Sequence, residues 1–329
     1  MSAETLFAYS RDFQLGRYSP LSAALAERHG IDEKDVLLGY GCEDLLKEAV
    51  HFHLRAGDLM LIPSASWWFY RVVASEVEAA TAEYPVRRDA ARYRYELGAL
   101  RDAIDAKKPK LVLIASPNNP TGSSMERGML EALLEEYPTL PIVLDQAYFG
   151  FLDEAAEPDH YAALTKHHPN LLVLRTFSKL YALAGVRVGY AFLGAMHAGL
   201  RRFQTRHLGF NRLAEQLALA ALADDAYYGE LRERFAVERQ RLASFFNAHA
   251  GVTCFHSDAN FVLVEMPEGS ASAVQRDLVE RGLQIKKFDE PAFLQCLRIS
   301  LGTEAENDRL LAACEEFCPR ALNLVGEKA

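Results

Sequence analysis

The stretch NLLVLRTFSKLYALAGVRVGYAFL, residues 170–193, holds two apolar runs of strand length joined by a link that carries Ser178, Lys179, Gly185 and Arg187. NLLVLR (170–175) and VGYAFL (188–193) show no alternation of apolar and polar residues, so neither strand can turn a face to water. Strands of that kind belong in the middle of a mostly parallel sheet covered by helices on both sides. The texture recurs upstream. DLMLIP (58–63), LVLIAS (111–116) and PIVLD (141–145) are apolar runs bounded by turn residues, separated by helical patterns such as MERGMLEALLEEY (125–137). Strand and helix alternating in this way predict an α/β fold.

Working outward, Ser19-Pro20 forms an N-cap and first-turn pair ahead of LSAALAERH, and Gly30 ends that helix. A second helix is predicted from about Cys42 to Ala56, stopping at Gly57. From about residue 208 the pattern becomes helical, in NRLAEQLALAALA (211–223) and then LRERFAVERQRLASFFNAH (231–249). Beyond it, strand-like VTCF, NFVLVEM, LQIKKF and LRISL alternate with helical AVQRDLVERG and ENDRLLAACEEF, which suits a small α+β C-terminal domain. The expected division is an N-terminal segment (1–30) that joins the small domain or a dimer contact, a large domain (31–225) and a small domain (226–329).

A chain of 329 residues, 50% hydrophobic and 25% charged, can bury a large core and a second smaller one. Its net charge of -9 argues against a nucleic-acid partner, which needs a dense basic face. The N-terminus, MSAETLFAYSRDFQ, lacks a basic stretch leading into an apolar run, and no apolar run approaches membrane-spanning length, so a cytoplasmic protein without a membrane partner is expected. Five cysteines without CxxC pairing are read as reduced thiols. His51 and His53, two positions apart without an HExxH pattern, point to different faces of a helix, and no metal is expected.

Chemistry collects at the ends of the apolar runs. Lys179 follows a buried strand, where desolvation and nearby cations lower an amine's pKa enough for imine chemistry. A Ser-Lys pair alone is most often a surface feature. SPNNPTG (116–122) ends another strand in a rigid turn that projects Asn119, and Asp145 and Tyr148 in DQAY end a third. All three lie at the carboxyl edge of the sheet, where open α/β folds bind ligands. Together they meet the needs of pyridoxal 5'-phosphate (PLP): an imine-forming amine (Lys179), an anion facing the pyridine nitrogen (Asp145) and donors to the ring oxygen (Asn119 and Tyr148). Ser178, Arg187 and the helix start at Gly41-Cys42-Glu43 would receive the phosphate. The stretch G39-Y-G41 does not complete GxGxxG, which counts against an NAD site.

Taken in order, RYSPLSAALAERHGI, GYGCEDLL, SPNNPTG, DQAY, RTFSKLYALAGVRVGY, SDANFVL and LRISLGT resemble fold-type I PLP enzymes of the class I/II aminotransferases, and within them the histidinol-phosphate aminotransferase-like branch. The resemblance implies a large domain with a mostly parallel, seven-stranded-type sheet, a homodimer with a shared active site, and transfer of an amino group from an amino acid or amino-phosphate to a 2-oxo acid. It further implies that Trp67 stacks on the cofactor ring, that Arg298 grips the substrate's carboxylate or phosphate, and that Tyr18 reaches the cofactor phosphate of a partner subunit.

This chain departs from the branch in several places. The asparagine-proline segment that covers the substrate has no counterpart before RYSP, and H207-L-G-F-N211 stands where the branch has a proline-aromatic-asparagine-valine stretch. Lys286 replaces a second anion-gripping arginine, keeping the charge but losing the planar fork. These changes point away from histidinol phosphate itself. Gln146, in place of the usual glutamate, is expected to be mild because it need not touch the cofactor. The rival reading on the same scaffold is another PLP reaction, such as decarboxylation of a phosphorylated amino acid, or an oxidase or cyclase. A PLP-sensing regulatory domain is disfavoured by the acidic balance and by the absence of a preceding helix-turn-helix.

Overall fold

The computed structural model describes residues 19–151, 160–203 and 210–326. Its strands are β1 (Val36–Gly39), β2 (Leu59–Pro63), β3 (Ala80–Tyr84), β4 (Val86–Asp89), β5 (Arg92–Tyr95), β6 (Leu111–Ala115), β7 (Ile142–Asp145), β8 (Leu171–Thr176), β9 (Gly189–Leu193), β10 (Thr253–Cys254), β11 (Phe261–Glu265), β12 (Lys286–Lys287) and β13 (Cys296–Ser300). Seven form one sheet in the order β1-β9-β8-β7-β6-β2-β3. Strand β9 runs antiparallel to both neighbours, and the other pairs are parallel. Every residue of β6, β7 and β9 is buried, as runs apolar on both faces require.

Both faces of the sheet are covered. One core gathers Leu21, Leu25, Ile114, Leu144, Val173 and Phe192, and another gathers Leu46, Val50, Ile62, Leu113, Val143 and Leu172. The helix Pro20–His29 opens with the Ser19 Oγ accepting from the Ser22 amide and closes on Gly30 in the left-handed region, so both predicted ends hold. Over its described residues this N-terminal segment packs against the helix Arg212–Leu222 and β1. The second predicted helix is shorter than expected, Cys42–His53, and ends at Leu54, which turns to extended backbone.

The C-terminal part builds a four-stranded antiparallel sheet, β10-β11-β13-β12. The helices Asp225–Asn247, Ala271–Glu280 and Glu304–Gly326 pack on it, and Leu242, Phe246, Val262, Leu278, Ile299 and Leu310 form its core. Polar ties join this sheet to the larger one, among them two through Asp258 and Arg239. The Asp258 amide donates to the Gly122 carbonyl (2.8 Å) while its carboxylate accepts from the Ser124 amide (3.2 Å). Arg239 donates to the carbonyls of Phe151 (3.1 Å) and Ala259 (3.0 Å). No described helix is long and apolar enough to cross a membrane.

Candidate active site

Strand register decides which side chains meet. Strands β6, β7 and β8 are parallel, with Ala115 beside Asp145 and Asp145 beside Leu174, so the loops bearing Asn119, Tyr148 and Lys179 leave one edge of the sheet. β2 ends at that edge too, and Trp67 follows it. Strand β9 starts there because Gly189 pairs with both Thr176 and Gly39, which brings Arg187 against Gly41. At Gly41 (φ +92) a side chain would strike the Arg187 guanidinium, and at Gly189 one would strike the Gly41 backbone, so glycine is what lets these segments close.

The result is a cleft of ≈ 300 Å³, at the small end of the range for ligand sites. Cys42, Glu43, Trp67, Asn119, Asp145, Tyr148, Ser178, Lys179, Arg187 and Arg298 line it. All ten are candidates on sequence grounds, and they come together from segments more than 250 residues apart. Gly41 lies behind Arg187 rather than on the wall. A second cleft of ≈ 150 Å³ shares Trp67, Asn119 and Arg298 with the first and adds Lys286, Trp68, Phe288 and Glu290. Tyr18 lies outside the described residues.

At the floor, Asp145 is 5% exposed. Its Oδ2 accepts from the Tyr70 hydroxyl (2.8 Å), and its Oδ1 accepts from the Ala147 amide (2.9 Å) and the Cys42 thiol (3.5 Å). Burial pushes the carboxyl up from its ordinary value, and these donors and the Lys179 charge act against that shift. A cation set against the carboxylate would relieve the remaining cost, which is what a protonated pyridine nitrogen supplies. Lys179 reaches over the Tyr148 ring, with Nζ 5.3 Å from its centroid. Burial lowers the Lys179 amine, and the Arg298 charge lowers it further.

At one end of the cleft the helix Cys42–His53 starts without a side-chain cap, leaving its first amides open to an anion. Arg187 donates to Ser178 Oγ there (3.4 Å) and to the Ala184 carbonyl (3.2 Å). A phosphate suits this corner. At the other end Arg298, on β13, donates to Asn119 Oδ1 (2.6 Å), and its buried Nε has no partner. That unfilled donor suits an acid group of a substrate. Lys286 sits beside Arg298 in the β12–β13 register and is exposed.

Tyr70 was missed. It stands three residues after Trp67 in the WWFY cluster, and its ring meets the Trp67 ring edge-on at 5.6 Å, but nothing in the sequence pairs it with Asp145 75 positions away. Gln146 stays out of the cleft, as expected, yet its position is not idle. Its Oε1 accepts from Nε (2.9 Å) and Nη2 (2.7 Å) of Arg175, a side chain only 1% exposed. Asn211 caps the helix Arg212–Leu222 through the Leu213 and Ala214 amides. His51 bonds to Glu76 (3.0 Å) and His53 to His197 (2.9 Å), and burial holds this second pair neutral, His53 at about 3 and His197 at about 4. Cys42, Cys254, Cys296 and Cys314 are buried.

Known proteins resemble this chain along most of its length. The family described as aminotransferase class I and II matches residues 16–313. A histidinol-phosphate aminotransferase of Shouchella clausii (strain KSM-K16) is 32% identical over 307 residues, covering 92% of this chain and 80% of the relative. Histidinol-phosphate aminotransferase 2 of Archaeoglobus fulgidus is 33% identical over 303 residues, covering 91% and 83%. Among solved structures, the Sinorhizobium meliloti histidinol-phosphate aminotransferase in complex with PLP superposes with a TM-score of 0.84 at 27% identity, over 98% of this chain and 85% of that one.

Proposed function

Because the chain belongs to the class I and II aminotransferases and is a PLP-dependent aminotransferase, we propose that Lys179 is its imine-forming lysine and that its amino donor is an amino acid or amino-phosphate gripped by an anionic group at Arg298. The observation that carries the donor assignment is the Arg298 guanidinium, half-buried between the two clefts, with one arm on Asn119 and an unpartnered Nε. Lys286 beside it supplies a second positive charge for a donor with two anionic groups.

PLP held in this cleft would supply an electron sink for the pair released at the substrate's Cα. The chain's residues do the rest. Asp145 holds the proton on the ring nitrogen, and Asn119 and Tyr148 donate to the ring oxygen. Ser178, Arg187 and the amides from Cys42 and Glu43 hold the phosphate. Arg298 fixes the acid group and with it the orientation of the Cα–H bond, so positioning selects the bond that breaks. Lys179, lowered by burial and by Arg298, holds more of its free-amine form at neutral pH and takes the Cα proton.

The reading extends to assembly and organisation. Tyr40, Trp68, Val72, Leu213 and Leu217 are large and exposed, Trp68 borders the second cleft, and Leu213 and Leu217 share one helix face, which supports a homodimer closing over the cleft with Tyr18 contributed across it. The separate four-stranded sheet and core support a small domain over 226–329, a large one over 31–225 and an N-terminal segment over 1–30.

Mixing the holoenzyme with a panel of amino acids and amino-phosphates tests the reaction. The visible absorbance of bound PLP should convert to the near-ultraviolet absorbance of the aminated cofactor, and a 2-oxo acid should restore it. Release of CO2 without that conversion would replace transamination by decarboxylation.

A further inference from the structure

Asp145 has a problem that its strand does not solve. A carboxylate this deeply buried tends to take up a proton, and a protonated Asp145 cannot hold positive charge on a ring nitrogen. Two side chains address that. The Tyr70 hydroxyl, delivered by the helix Phe69–Ser75 that follows β2, donates to Oδ2 at 2.8 Å. The Cys42 thiol, at the first residue of its helix, lies 3.5 Å from Oδ1. With the Ala147 amide they give both oxygens a donor.

We propose that Tyr70, with the Cys42 thiol as a second donor, is a positioning residue that keeps Asp145 ionised and aimed at the cofactor's ring nitrogen, a role that rests on assigning Asp145 to that nitrogen. The choice of donors matters. A lysine or arginine on the carboxylate would neutralise the charge that the ring nitrogen needs, whereas a phenol and a thiol stabilise the anion and leave its charge in place. Burial raises both groups well above their ordinary values, so they stay protonated and donate at any pH the enzyme meets. The other groups facing Asp145 are differently engaged. Lys179 approaches from the end of β8 over the Tyr148 ring, and the Tyr95 hydroxyl on β5 is taken by the Ala115 carbonyl.

The test compares holoenzymes of the parent, Tyr70→Phe, Cys42→Ala, Cys42→Ser and Asp145→Asn, reading the pH midpoint of the visible cofactor absorbance and the cofactor dissociation constant. Losing a donor raises the proton affinity of Asp145 and weakens the positive charge on the ring nitrogen, so the lysine-bound nitrogen keeps its proton to higher pH. Tyr70→Phe should raise the midpoint by about half to one pH unit and weaken cofactor binding by roughly three- to tenfold. Cys42→Ala should move it the same way by less, and Cys42→Ser, a better donor, the opposite way. A Tyr70→Phe enzyme with parental midpoint and affinity, while Asp145→Asn shifts both, overturns the proposal and leaves Asp145 assigned. If Asp145→Asn shifts neither, the Asp145 assignment and the proposal both fall. Should Tyr70→Phe fail to fold, equal midpoints for Cys42→Ala and Cys42→Ser overturn it instead.

Discussion

At the floor of the cleft, Asp145 is buried with both oxygens hydrogen-bonded, on a strand paired along both sides. At the outer rim, Lys286 is exposed on a two-residue strand at the edge of the smaller sheet. The difference follows from what each end must hold. In the proposed assignment the floor would receive one invariant molecule, the cofactor, and can be over-determined by packing and hydrogen bonds. In the same assignment the rim would receive the variable part of the substrate, and a flexible ammonium on an edge strand can be exchanged without disturbing a core. On that proposal, chemistry would be fixed by the large sheet, and donor choice by a few residues on the small one.

The sharpest way to break this comparison is at Lys179. Lys179→Ala should remove the visible absorbance of bound PLP and lower turnover by about 10³-fold or more, with the far-UV circular dichroism intact; retained turnover would dissolve the assignment of the floor. Arg298→Ala, between the two ends, should cost roughly ten- to a hundredfold in kcat/KM for acid donors, the loss of one or two charge-assisted hydrogen bonds. It carries a second signature. Because the Arg298 charge lowers the Lys179 amine, removing it raises that amine, so PLP uptake by the apoprotein should shift to higher pH. An unshifted uptake profile would separate the two groups electrostatically.

Lys286→Ala should be milder, about two- to fivefold in KM for donors with a second anion, fading in high salt and nearly absent for donors without one, as measured by steady-state kinetics. An effect as large as that of Arg298→Ala would place the rim on the same footing as the floor. The smallest expected change lies behind the floor. Gln146→Glu should give the buried Arg175 a charged acceptor and raise the melting temperature by about 1–3 °C with kcat unchanged. A lower melting temperature would mean that desolvating the new carboxylate outweighs the pairing.

How far the sequence could be read follows the same division. Lys179, Asp145 and Asn119 were legible because each ends an apolar run, and parallel strands bring such ends to one edge whatever surrounds them. The C-terminal strands were legible as runs, though the two-residue β10 and β12 are much shorter than VTCF and LQIKKF suggested. Strands β1 and β3 and the β4–β5 hairpin were not read. Strand β3 (ATAEY) lies at a sheet edge and the hairpin faces solvent with arginines, so neither shows a buried run. Tyr70 and the Arg175–Gln146 pair were invisible for another reason: they are contacts between segments, and a single sequence carries no record of which polar side chains meet.

The ties between the two sheets bear on how the protein responds to heat. Asp258 holds Gly122 and Ser124 in the same loop that presents Asn119, and Arg239 joins the chain after β7 to the chain before β11. Melting the smaller sheet would free that loop and open the proposed PLP site with it. Calorimetry of the holoenzyme should accordingly show a single endotherm, with the cofactor's absorbance lost over the same few degrees, and excess PLP should delay the collapse of both sheets together.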